Sequence, residues 1–81
     1  MNLKWTKDTN TNISTLTHDS KNIVLGMITE IGVHADGAFS HKIYMMYSFN
    51  GGRRVYLGKV DDDYEIAKET VERAGIGIIV G

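Results

Sequence analysis

The sequence predicts an α+β fold, a mostly antiparallel sheet of five to six strands with one helix from the C-terminal half packed on one face. The element order is β-β-β-β-β-α-β. Three observations predict it. Runs of β-branched and aromatic residues recur between clusters of Asn, Asp and Gly, as strands and their turns do. The spacing of apolar positions changes from about two to about 3.6 across Asp61–Asp63, inside the organising stretch His41 to Ala74. The chain has 81 residues, enough for a single domain spanning 1–81. A domain of that size buries only about 60% of the surface its unfolded chain exposes, so its core is thin.

Taken in order, Leu3–Thr6 alternates apolar and polar residues, and Ile13–Thr17 is rich in β-branched ones. The polar segment Lys7–Asn12 between them completes a hairpin, because Asp, Asn and Thr side chains bond their own backbone in turns. Trp5 is expected to cover one end of the core. After the turn His18–Asn22, Ile23–Ile31 is nearly continuous apolar sequence and reads as the central strand. Gly26 and the β-branched residues around it argue against a helix there. Asp36-Gly37 marks the next hairpin turn, and His41–Phe49 returns as the fourth strand.

Asn50-Gly51-Gly52 is the plainest turn, and two loop lengths give different faces, since a one-residue slip inverts every side chain. A two-residue Asn50-Gly51 loop sets Tyr47 opposite Arg54. A three-residue loop pairs Tyr47 with Val55 and Met45 with Leu57, and it is preferred because it faces more apolar side chains across the hairpin. It gathers Ile43, Met45, Tyr47, Val55 and Leu57 on one face and Lys42, Tyr44, Met46, Ser48, Arg54 and Tyr56 on the other, with Tyr44 over Gly58.

Asp62 is the expected N-cap of the helix, with Glu65 three residues on. Ile66, Ala67, Thr70, Val71 and Ala74 form its apolar stripe, while Glu65, Lys68, Glu69, Glu72 and Arg73 face water. Glu69 and Arg73 are ordered for an i,i+4 ion pair. Gly75 is expected to end the helix and Ile76–Val80 to return as a short edge strand.

Composition narrows the function classes. There is no cysteine, so disulfides and thiolate metal sites are excluded and a reducing, cytoplasmic location is expected. The formal net charge is −1, which supplies no global attraction for nucleic acid. No apolar run has the length of a signal-peptide core or a membrane span. His18, His34 and His41 lack metal-ligand spacing and read as surface histidines, and Asp61–Asp63 reads as a helix start. No nucleophile motif accompanies the serines, so no enzyme, cofactor, metal or small-molecule substrate is expected.

What remains is surface. One short helix covers one face of a sheet whose strands carry Ile, Met, Val and Tyr on both. The expected function is therefore non-enzymatic binding, through an exposed sheet face or edge, to a protein partner or to a second copy as a homodimer. The partner-binding set is Lys42, Tyr44, Met46, Arg53, Arg54 and Tyr56. With Lys59, the cations and aromatic rings among these also make the composition that stacks bases, so nucleic acid is the alternative.

The run RRVYLGKVDDDYEIAKETVERA, residues 53–74, is similar to the end of two DNA-binding modules, the plant ethylene-response-factor domain and the integrase arm. Tyr56-Leu57-Gly58, Asp61–Asp63 and Ala67 stand at the matching places. The resemblance implies sheet strands entering the major groove, with Lys42, Tyr44, Arg54 and Tyr56 as reading residues. In size and style the chain also resembles small phage and mobile-element proteins, which implies an inhibitor or modulator of a host protein.

Overall fold

A computed structural model of the chain describes residues 3–18, 23–35 and 39–80. Five strands, β1 (Leu3–Asp8), β2 (Ile13–His18), β3 (Ile23–Ala35), β4 (Phe39–Asn50) and β5 (Arg53–Asp61), precede one helix, α1 (Tyr64–Val80). The strands form one antiparallel sheet in the order β1-β2-β3-β4-β5. Each strand pairs with its neighbour in sequence, the outcome that short connections favour. The expected α+β class is observed.

The N-terminal hairpin closes as its polar turn predicts. The Asn10 backbone N–H donates to the Asp8 carboxylate at 2.9 Å, and Asn12 takes a φ of 56°, a conformation its side chain tolerates. The Asp36-Gly37 turn lies outside the described residues, but the strands on either side of it pair from Gly26↔Ser48 to Ala35↔Phe39. Both run past their expected ends at Ile31 and His41 and make the longest hairpin of the sheet.

Between β4 and β5 the structure corrects the expected register. The loop is Gly51-Gly52, with Asn50 opposite Arg53. Both glycines have positive φ, 60° and 81°, which a two-residue turn of the twist-matching kind requires and which bulkier residues resist. Tyr47 therefore faces Tyr56, and Phe49 faces Arg54. A bulge at Leu57 then shifts the ladder, so Gly58 pairs with Met46, whose Cε covers it at 3.7 Å from the place a Cβ would take. Met46, and not the expected Tyr44, shields that glycine.

The helix start is corrected by one residue. Asp62 has a φ of 57° and is joined to Lys42 both ways: its N–H donates to the Lys42 carbonyl and its carboxylate accepts from the Lys42 N–H, each at 2.8 Å. Its side chain is thus committed to the sheet. Asp63 caps instead, accepting from the Ile66 N–H at 3.0 Å.

The helix end is corrected as well. Ile76–Val80 is no strand but continues α1, which at 17 residues is about 25 Å long. Gly75 lies inside the helix because the helix backbone presses on the sheet there. A Cβ at Gly75 would stand 3.3 Å from Leu25 Cβ and 3.5 Å from Leu16 Cδ2. The edges of the sheet are therefore β1 and β5.

The core lies between α1 and one side of the sheet. Leu16, Leu25, Ile28, Tyr44, Met46, Ala67 and Val71 are buried, with Leu3, Trp5, Leu57, Val60 and Tyr64 packed around them. Ala67 and Val71 come from the expected stripe, whereas Ile66 is half exposed and turned away. Small residues let the helix approach: Ser14, Gly26 and Ser48 line the sheet beneath it. Trp5 bridges β1 to the helix, its Nε1–H donating to Glu72 at 2.9 Å. Ser14 and Tyr64 share a hydrogen bond of 2.6 Å. His18, expected at the surface, is buried on this side at the end of β2; His41 is half-buried, and the His34 side chain lies outside the described residues. The expected Glu69–Arg73 ion pair is present on the outer helix face at 2.6 Å.

Candidate functional site

The register places alternate residues of each strand away from the helix. They are Lys4, Thr6 and Asp8 of β1, and Ile13, Thr15 and Thr17 of β2. From β3 come Val24, Met27, Thr29 and Ile31, from β4 His41, Ile43, Met45, Tyr47 and Phe49, and from β5 Arg54, Tyr56, Lys59 and Asp61. Among the described residues no element lies over this face. Val24 is 41% exposed, Ile31 45% and Tyr56 52%. The rest of the apolar set is half-buried by its neighbours in the sheet alone.

The distribution of side-chain size between the two faces is informative. The covered side carries Ser14, Gly26, Ser48 and Gly58 among its hydrophobes, while the bare side carries a contiguous field of Ile, Met, Val, Phe and Tyr. Charge is distributed just as unevenly. Among the described side chains of the bare face, the three central strands present no Lys, Arg, Asp or Glu, His41 being their titratable residue, and Lys4, Asp8, Arg54, Lys59 and Asp61 sit on the edge strands β1 and β5. An apolar, charge-depleted centre inside a polar margin is the arrangement of a protein–protein contact.

One corner of the face is ordered by its own contacts. The Tyr47 and Tyr56 rings lie 5.5 Å apart at 55°, and the Arg54 guanidinium sits 4.8 Å from the Tyr47 ring centre. A cation over an exposed ring contributes about 0.5–1 kcal/mol, which favours this arrangement of the trio. At the other edge Thr6, Asp8, Thr11, Ile13, Thr15 and Thr17 line a shallow, threonine-rich hollow.

The structure divides the residues that sequence reasoning grouped. Arg54 and Tyr56 lie on the bare face. Tyr44 and Met46 lie beneath α1, 7% and 5% exposed, because the helix covers the side of β4 that was expected to stay bare, while the two-residue turn carries Arg54 and Tyr56 to the other side. Lys42 and Arg53 fall on the helix side. The Lys42 ammonium reaches Glu30 at 3.5 Å, and Lys7 reaches the same carboxylate at 3.3 Å, a network that ties β1, β3 and β4. The grouping of Ile43, Met45 and Tyr47 holds, but as bare surface. Met27, Ile31 and Phe49 were missed as contact residues. The signal for them was the run of small residues on the opposite parity, which marks the side a helix can approach closely.

Among the described residues no three or more His, Asp or Glu side chains gather as metal ligands, and no helix is long and apolar enough to cross a membrane. No protein-family model, no curated protein and no solved structure matches the chain.

Proposed function

We propose that the protein is a non-enzymatic binding module that docks its bare sheet face on a protein surface and acts by covering what it binds. The observation that carries this reading is the bulky apolar field on β3 and β4, extended by Tyr56 of β5, with the Lys, Arg, Asp and Glu residues confined to the edge strands. Apolar patches of this extent mark interaction sites on small proteins. Nucleic acid fits the face less well. Lys4, Arg54 and Lys59 stand against Asp8 and Asp61, leaving little net positive charge to neutralise phosphates.

The test is a photoreactive phenylalanine analogue in place of Tyr47, irradiated in cells that express the chain. Protein adducts that survive nuclease are expected, with none from the same analogue in place of Ile66 on the outer helix face. Adducts that vanish with nuclease, or equal adducts from both positions, overturn the reading.

A further inference from the structure

We infer that the occupant of the bare face is a second copy of this chain, packed sheet against sheet about a two-fold axis that crosses the strands. The inference rests on the docking reading above and names its partner.

A two-fold interface brings one patch against itself, so the patch must be self-complementary. The register shows where its charges lie. Lys4 is level with Thr17 and Val24, and Arg54 with Phe49, at one end of the face. Asp8, Ile13, Thr29, Met45 and Lys59 share a row farther along, and Asp61 shares the next row with Ile43 and Ile31, beyond which only β3 and β4 continue, through Val33↔His41. The face thus runs from a positive end to a mostly negative one.

Two aligned sheets stack in two ways that keep two-fold symmetry. An axis parallel to the strands lays β1 over the partner's β5 with rows in step. Asp8 then meets the partner's Lys59, but Lys4 meets the partner's Arg54, and the like charges offset the gain. An axis across the strands lays β5 over β5 with the rows inverted. Arg54 then stands over the partner's Asp61, and Tyr56 over the partner's Lys59, a cation above a ring. Val24 meets the partner's Ile31 and Phe49 meets the partner's Ile43, apolar on apolar. Each contact occurs twice, and no like charges are opposed. The geometry therefore points to the crossing axis.

Size agrees. The patch spans roughly 20 Å along the strands, from Arg54 to Asp61, and roughly 19 Å across the five strands, with β1 and β2 ending one row before Asp61. A rugged patch of that extent presents accessible area on the order of the ~800 Å² per partner that stable interfaces bury. A thin one-sided core also gains most from a second layer, since small domains without disulfides or metals stabilise themselves by association.

The experiment is sedimentation velocity of the full chain from nanomolar to high micromolar concentration, with circular dichroism confirming that each variant is folded. A monomer–dimer equilibrium is expected. Arg54→Asp and Asp61→Arg should each weaken it about tenfold by setting like charges opposite one another, and the double variant should restore it. Ile31→Glu, at an exposed position over the partner's Val24, should also weaken it. A monomer at every concentration overturns the second copy and leaves the docking reading to the cross-linking result. A dimer indifferent to Ile31→Glu overturns the second copy on this face and likewise leaves the docking reading to the cross-linking result. A dimer weakened by Ile31→Glu but not rescued by the charge swap overturns the crossing axis.

Discussion

Gly26→Ala is expected to destabilise the fold by about 3 kcal/mol or more, at the upper end of overpacking effects. A chain of this length has roughly 4–12 kcal/mol of stability in total, so a large share would be lost. The cause is local. The added Cβ would fall 2.2 Å from Val71 Cγ1 with the Tyr47 carbonyl oxygen 3.1 Å away. Neither neighbour yields easily. Val71 is β-branched and held to one rotamer in a helix, and the carbonyl belongs to the β3–β4 ladder. Urea unfolding measures the loss. A sharper check is the double variant Gly26→Ala/Val71→Ala, expected to be more stable than Gly26→Ala alone even though Val71→Ala is itself destabilising. Such non-additivity is what contact between two sites produces.

The second large effect is expected at Leu16. Its side chain is 0% exposed, faces Trp5 on one strand and Gly26 on the next, and reaches Gly75 of the helix. Leu16→Ala should cost about 2–5 kcal/mol, the range for cavities that a core only partly closes. Because association with any partner raises apparent stability, the comparison is made at one low protein concentration. Under the same conditions Ile31→Ala should change unfolding by only about 0.5 kcal/mol, as exposed substitutions do. Two aliphatic residues of one size differ in effect because only one lies under the helix.

Much of the fold was legible in the residues. The turn segments Lys7–Asn12 and Asn50-Gly51-Gly52, the β-branched runs, and the change of period across Asp61–Asp63 led to the first five strands and the helix in the right order, with a sixth strand expected where the helix continues. The errors share one physical origin: local signals that tertiary packing overrode. Gly75 looked like a helix terminator because glycine is the usual αL residue there, yet here it is the point where the helix backbone meets Leu25 and Leu16. Asp62 had the chemistry of a cap, but the Lys42 N–H claimed its carboxylate first. Ile76–Val80 has strand-like composition, yet it continues the helix.

The site was half legible. That one helix would leave a sheet face bare followed from counting apolar strand positions. Which face stayed bare did not, because it depends on where the helix settles; the turn of two glycines moved Arg54, Val55 and Tyr56 to the other side, and the bulge at Leu57 restored the expected facing beyond it. The helix covers the Tyr44 and Met46 side, so these two lie in the core, and Met45 and Tyr47 face away from it.

Met45 and Met46 are therefore the most direct reporters, adjacent in sequence and on opposite sides of the sheet. Peroxide oxidation of the dilute folded chain, read residue by residue by mass spectrometry, should modify Met27 and Met45 readily and leave Met46 resistant. Raising the protein concentration, or adding a captured partner, should then protect Met27 and Met45. Equal oxidation of Met45 and Met46, or resistance of Met27 and Met45 in the dilute chain, would contradict a bare sheet face and remove the basis for docking.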